Sequence, residues 1–147
     1  MNQIRENRKL LNNKIKIIHE KSFYKEKELP NLIAVSKQQS LEKIIQALEC
    51  GHRVFGENKV QEAEQKWTSL NEKHKKVELH LIGHLQTNKV KKAMKLFDYI
   101  HTLDRESLAY EISKNMNNDT KTKSIFVQVN TGLEDQKSGI LPNNLNK

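Results

Sequence analysis

A lysine at the end of a short apolar segment is the residue of this chain best suited to covalent chemistry. Lys37 closes the run Ile33–Lys37. A neutral lysine amine attacks aldehydes and forms a Schiff base. If this run is a buried strand, Lys37 loses part of its hydration, which favours the neutral amine. Taken alone, the run favours a lysine that extends from a strand end into solvent.

Polar residues also follow the next two apolar segments. Asn58 comes where a helix is expected to begin, and its amide is placed either to orient a ligand or to cap that helix. Gly83 lies between His80 and His84, and a glycine there lets a ligand approach the backbone closely or simply allows a turn. Because Gly83 interrupts the stretch, the two histidines do not share a helix face, and no metal site is predicted.

Several functional classes are excluded by what the sequence lacks. It contains no G-x-G-x-x-G, Walker A, H-E-x-x-H or G-x-S-x-G motif. The single cysteine, Cys50, rules out an internal disulfide and a cysteine-based zinc site, and it is compatible with a reducing cytosol. No apolar run approaches the roughly 20 residues of a membrane span. The first 20 residues show no apolar core of a signal peptide. A cytoplasmic protein is expected.

The positive charge is carried mainly by lysine. Lys plus Arg is 26 against 18 Asp plus Glu, which gives +8, and only four of the 26 are arginine. Lysine lacks the bidentate fork with which arginine recognises phosphate. The densest basic cluster is spread around one predicted helix without interleaved aromatic residues: Lys89, Lys91, Lys92 and Lys95. A solvated helix face is therefore favoured over a nucleic-acid interface.

Apolar periodicity predicts an N-terminal helix over residues 1–21 and then alternating strands and helices over residues 31–147. The 147 residues suit a single domain. The five predicted strands are Leu32–Val35, Arg53–Phe55, Glu78–Ile82, Phe97–Leu103 and Ser124–Asn130. The four intervening helices are Leu41–Cys50, Glu57–Leu70, Asn88–Leu96 and a helix capped by Asp104 that runs to about Met116. This alternation is typical of βαβ units and a parallel sheet.

The pattern leaves two architectures open. Five parallel strands build an open doubly wound sheet, which this length suits. They also match the first five strands of a (βα)₈ barrel, which normally needs about 250 residues. In either case functional residues should follow the carboxyl ends of the strands.

Together, the strand ends resemble the pyridoxal phosphate homeostasis protein family. The resemblance lies in the order and spacing of Ala34–Lys37, Phe55–Asn58 with Val60–Glu62, His80–Lys89, His101–Arg105, and Gln128–Asn130 with Glu134, Lys137, Ser138 and Gly139. It covers essentially the whole chain. It implies an α/β fold like the barrel domain of alanine racemase, here an incomplete TIM-type (β/α) barrel behind an N-terminal helix.

The resemblance also implies a cofactor and its site. Lys37 matches the lysine that holds pyridoxal 5′-phosphate as a Schiff base. Asn58 falls on a motif that lines the cofactor pocket, and His80, Gly83 and Asn130 lie on neighbouring strand ends. The implied role is intracellular homeostasis of the cofactor, with no catalytic residue, no metal and no turnover. PLP-dependent apo-enzymes are the implied partners.

Two alternatives remain beside that role. A racemase-type enzyme using the same lysine would need an opposing tyrosine, and Tyr24, Tyr99 and Tyr110 show no matching context. The other alternative is a fragment without function. Family members continue through three further βα units and hold the cofactor phosphate there, so the chain is expected to be truncated at its C-terminus. We therefore expect weak retention of the cofactor and open edges at the first and fifth strands. The complete protein is expected to be a monomer.

Overall fold

The computed structural model describes residues 3–145 and contains the predicted alternation of strands and helices. Of its helices, none combines the length and hydropathy that crossing a bilayer requires. The elements in chain order are α1 (Gln3–Glu20), β1 (Ala34–Val35), α2 (Leu41–Glu49), β2 (Val54–Glu57), α3 (Val60–Lys73), β3 (Glu78–Leu81), α4 (Val90–Leu96), β4 (Tyr99–Leu103), α5 (Glu106–Asn115) and β5 (Ser124–Val127). Short 3₁₀ turns lie at Thr87–Lys89 and Pro142–Asn144.

The five strands form one parallel sheet in the order β1-β2-β3-β4-β5. A doubly wound sheet would reverse its strand order at a switch point, and this sheet does not. Because parallel crossovers are right-handed, a sheet in sequence order carries its helices on one face. The arrangement is that of a barrel segment. Within residues 3–145, β1 and β5 do not pair with each other, so the sheet is open.

The hydrophobic core lies between this helical layer and one face of the sheet. Phe55, Leu79 and Ile100 point from the strands into the core. The indole of Trp67 on α3 packs 4.8 Å from the Phe55 ring, measured between ring centroids. Alternation along the strands sends every second side chain to this face.

The opposite face of the sheet carries a row of stacked rings, which we name the ring face: His80, Tyr99, His101 and Phe126. The His80 and Tyr99 rings stack with centroids 4.6 Å apart, and His101 and Phe126 stack at 4.7 Å. His80 Nδ1 lies 2.8 Å from His101 Nε2. Phe126 keeps 47% of its surface exposed, because no element among the described residues covers this face.

Two predicted helix starts are wrong. Glu57 belongs to β2, where it pairs with Leu81 and its carbonyl accepts the Ile82 N–H at 2.9 Å; α3 begins only at Val60. The residue at the N-cap position of α5 is Arg105, not Asp104, and its side chain makes no capping bond. In both cases the residue that the local pattern places at a helix start instead contacts β3 or the segment that follows it.

The N-terminal helix forms over almost all of its predicted range. Its apolar stripe contributes nothing to the core: no residue within Gln3–Glu20 is buried, and Ile18 is 67% exposed. The Arg8 guanidinium joins the helix to the end of α2, where it donates to the carbonyls of Cys50 and Gly51. A shallow apolar cleft of about 310 Å³ separates it from β1. Residues 1 and 2 of the predicted helix lie outside the described residues.

Candidate functional site

Lys37 lies two residues beyond β1, at the carboxyl edge of the sheet, as predicted. Its side chain is exposed, as in a lysine that extends from a strand end into solvent. The reason is that β1 is an edge strand of only two residues, with β2 as its one neighbour among the described strands. Within residues 3–145 the Lys37 ammonium group forms no hydrogen bond and no ion pair, so it is available to a ligand.

The backbone around Lys37 is held firmly although its side chain is free. The Ser36 N–H donates to the Gly56 carbonyl at 2.9 Å, which continues the β1–β2 ladder by one residue. The Lys66 ammonium donates to the Ser36 carbonyl at 2.9 Å. The Gln38 N–H donates to Glu62 Oε1 at 2.6 Å. Both peptide groups that flank Lys37 are therefore bonded to side chains of α3.

These α3 side chains surround a buried carboxylate. Glu57 is fully buried, and its Oε1 accepts from the Ser36 hydroxyl at 2.7 Å and from Trp67 Nε1 at 3.2 Å. The Lys66 ammonium lies 3.4 Å from the same oxygen and 2.5 Å from Glu62 Oε1. The hydrogen bond from Lys66, followed by that from the Gln38 N–H, lowers the pKa of Glu62, so its carboxylate stays ionised.

Sequence reasoning missed this network. Glu57 and Glu62 lie within the motifs Phe55–Asn58 and Val60–Glu62, which by themselves give neither glutamate a role, and Lys66 lies outside both motifs. A weak signal was present in the spacing of Glu62 and Lys66, because residues four apart on a helix pair with each other. No signal in the sequence showed that Glu57 would be buried behind Lys37.

Asn58 and Gly83 meet where the exits of β2 and β3 touch. A β-carbon built on Gly83 would lie 2.7 Å from the Asn58 Cα and 2.8 Å from its carbonyl carbon. The Thr102 hydroxyl donates to the Gly83 carbonyl at 2.8 Å and ties in the β4 exit. Beside this contact lies a polar cleft of about 340 Å³, lined by Asn58–Gln61, His84, Gln86 and Lys89.

Asp104 joins the exits of β3 and β4 instead of capping a helix. Its carboxylate is 2.6 Å from the Arg105 guanidinium and 3.2 Å from His84 Nδ1. Arg105 also donates to the Leu85 carbonyl at 2.8 Å. The exits of β3 and β4 are thus cross-linked by side chains.

His80 lies inside β3, not past its end. Its ring belongs to the ring face, where Nε2 is 3.1 Å from Glu78 Oε1 and Nδ1 contacts His101. Burial, followed by the proximity of His80, lowers the pKa of His101 below its usual range. His101 is therefore neutral at pH 7, which allows the two imidazoles to share a hydrogen bond.

Asn130 is buried and organises the loop 131–139. Its side-chain amide donates to the Glu134 carbonyl at 2.8 Å, and its oxygen accepts the Glu134 N–H at 3.3 Å. Gly139, at φ +129°, passes so near that a β-carbon there would lie 2.7 Å from the Asn130 nitrogen. Asn130 therefore shapes the rim after β5. No group of His, Cys, Asp or Glu side chains within residues 3–145 is arranged to hold a metal ion.

Three comparisons place the chain among known proteins. The family model of the alanine racemase N-terminal domain matches residues 8–147. The pyridoxal phosphate homeostasis protein of Vibrio cholerae serotype O1 is 41% identical over 116 residues, which are 78% of this chain and 49% of the relative. That of Buchnera aphidicola subsp. Schizaphis graminum is 36% identical over 147 residues, all of this chain and 63% of the relative.

Solved structures agree with these relatives. PipY of Synechococcus elongatus PCC7942 without PLP superposes with a TM-score of 0.80 at 33% identity, over 97% of this chain and 61% of PipY. PipY with PLP bound superposes with a TM-score of 0.63 at 35% identity, over 77% of this chain and 48% of PipY.

The chain spans about half to two thirds of the length of these proteins. The match with the family model nevertheless extends over α1, the five-stranded sheet and the loop after β5. The parallel sheet, whose strands follow one another in chain order, agrees with that match. The chain belongs to the alanine racemase N-terminal domain family.

Proposed function

We propose that this chain binds pyridoxal 5′-phosphate through the Lys37 amine and contributes to homeostasis of that coenzyme. The observation that carries the proposal is the state of Lys37, whose amine is free while the peptide groups on both sides are fixed. The relatives named pyridoxal phosphate homeostasis protein and the PLP-bound PipY structure support the choice of ligand.

The residues at the rim fit this ligand. The coenzyme supplies an aldehyde, with which a lysine amine condenses with loss of water. Lys37 offers such an amine at the carboxyl edge. The cleft beside Asn58 is polar, and Lys59, His84 and Lys89 contribute to its lining, which favours the approach of an anionic molecule.

Four further residues act in this proposal by shaping the rim. Asn58 lines the polar cleft, and Gly83 keeps the β3 exit against it. His80 acts from the ring face, through its bonds to Glu78 and His101. Asn130 keeps the loop after β5 folded at the same edge.

The proposed role is storage and delivery of the coenzyme to PLP-dependent apo-enzymes in the cytoplasm, without turnover. A racemase-type reaction needs a second acid–base group opposite the lysine. Tyr24 and Tyr110 are exposed on the surface, and the Tyr99 ring is stacked on His80. Within residues 3–145, no hydrogen bond or ring contact joins any of these tyrosines to Lys37, which supports binding over catalysis.

The proposal is tested by trapping the coenzyme on the protein. The purified chain is mixed with pyridoxal 5′-phosphate, reduced with borohydride and digested, and the modified lysine is found by mass spectrometry. We expect modification at Lys37 and its loss in Lys37→Ala, with Lys91→Ala as the control because Lys91 is an exposed lysine on α4. Modification spread evenly over surface lysines would contradict the proposal, as would racemisation of alanine on addition of the coenzyme.

A further inference from the structure

The side chains that hold the backbone of Lys37 come from a different βα unit. Lys37 follows β1, whereas Glu62 and Lys66 lie on α3, after β2. Glu62 accepts the N–H on the C-terminal side of Lys37, and Lys66 donates to the carbonyl on its N-terminal side. The two side chains also bond to each other at 2.5 Å. We name the side chains of Glu62 and Lys66 the bracket, because together they hold the backbone on both sides of Lys37.

The bracket has a buried anchor. Glu57 lies behind it, fully buried, and accepts from the Ser36 hydroxyl as well as from Trp67. Only 12% of the Lys66 side chain is exposed, so its bonds to Glu57, Glu62 and the Ser36 carbonyl form mostly away from water. Charged hydrogen bonds in such places are shorter and stronger than exposed ones.

The local backbone needs that support. Gln38 has a φ of +58°, in the left-handed region that residues with a side chain seldom adopt. Such a conformation persists where neighbouring contacts determine it. Here the contacts are the bond from the Gln38 N–H to Glu62 and the turn bond from the Gln39 N–H to the Ser36 carbonyl at 3.1 Å.

We propose that Glu62, with Lys66 and Glu57, is a positioning device for Lys37. The bracket fixes the direction in which the Lys37 side chain leaves the backbone, and within residues 3–145 it forms no bond to the Lys37 amine. A reactive group held in one orientation reacts more readily than a mobile one. The inference rests on the proposed function of Lys37. It adds that the affinity for the coenzyme depends on a side chain that does not contact it.

The test compares two glutamates of the same helix. Glu62→Ala removes the bracket, whereas Glu64→Ala removes the same charge from α3 but breaks only an exposed pair with Lys92. The first measurement needs no coenzyme: hydrogen exchange of the Gln38 amide, followed by NMR. We expect exchange to quicken at least about tenfold in Glu62→Ala, as loss of a charged hydrogen bond implies, and to stay unchanged in Glu64→Ala. Equal exchange in both variants would overturn the inference.

The second measurement is the affinity for pyridoxal 5′-phosphate, followed by its absorbance. We expect Glu62→Ala to weaken binding about tenfold with Lys37 still the modified residue, and Glu64→Ala to match the parent chain. Glu62→Gln keeps an oxygen for the Gln38 N–H and should recover most of the affinity. If all three variants bind equally, the positioning role is wrong while the proposed function stands. If the parent chain is not modified at Lys37, the proposed function itself fails.

Discussion

The backbone of Asn58 lies against Gly83, so closely that position 83 has no room for a β-carbon. A methyl group there would stand 2.7 Å from the Asn58 Cα, and backbone atoms cannot turn aside as a flexible side chain does. The exits of β2 and β3 are thus joined by direct contact of their main chains. This contact forms one wall of the polar cleft at the carboxyl edge.

Gly83→Ala should therefore destabilise the protein by about 1–3 kcal/mol, the usual cost of forcing an extra group into a packed site. Urea unfolding followed by circular dichroism measures the change. Gly132→Ala is the matched control, because its β-carbon would meet mainly the flexible side chain of Glu134. Equal stability of the two variants would show that the Asn58 backbone yields easily.

Lys66→Met should destabilise the protein by about 3 kcal/mol, since removal of one partner leaves the buried Glu57 carboxylate without its cation. Lys92→Met breaks an exposed pair with Glu64 and should change the free energy of unfolding by at most about 1 kcal/mol. Both values come from urea unfolding at pH 7. A small change in the free energy of unfolding at both positions would mean that the buried Glu57 carboxylate is stable without the Lys66 ammonium.

Asp98 should make the free energy of unfolding depend on pH in the acidic range. Burial alone would raise its pKa, but hydrogen bonds from Lys121 at 2.8 Å and from the Leu79 N–H at 2.9 Å, with Lys123 nearby, lower it overall. The unfolded chain, with an aspartate pKa of about 3.9, therefore takes up the proton first as the pH falls. The stability contributed by Asp98 is complete above that pH and is lost as the pH falls through the lower folded value.

Asp98→Asn should accordingly cost about 1.5–3 kcal/mol at pH 7, the range for hydrogen bonds to charged groups, and less at pH 3. Unfolding free energies measured across that interval test the expectation. Asp119→Asn, an exposed residue of the loop before β5, is the control and should leave the profile unchanged. If the free energies of unfolding of Asp98→Asn and of the parent chain change with pH in parallel, Asp98 is not the origin of the pH dependence.

Coenzyme bound at Lys37 should exchange readily. The lysine is exposed and β1 is an edge strand, so water reaches the site and hydrolyses the linkage. Extensive dialysis followed by absorbance should show loss of most of the bound pyridoxal 5′-phosphate, whereas borohydride reduction beforehand should retain it. Stoichiometric retention without reduction would contradict this prediction.

Much of the fold follows from local patterns. Apolar runs separated by amphipathic segments place all five strands, because buried parallel strands and one-sided helices have distinct periodicities. The predicted helix Leu41–Cys50 matches α2 within one residue, and Gly51 follows its C-cap at φ +79°, a conformation that suits glycine. The positions of Lys37, Asn58 and Gly83 at the carboxyl edge follow in the same way, since each comes directly after a strand.

The sequence by itself thus determined which elements form and which residues stand at their ends. Only the tertiary structure decided the strand order, the burial of Glu57 beneath Lys66, and the exposure of Lys37 and α1. Each of these depends on which surfaces meet in space. The local sequence around Glu57 fits either the start of a helix or the end of a strand. The strand end is selected by contacts with Ser36, which is distant in the chain, and with Trp67 on the next helix.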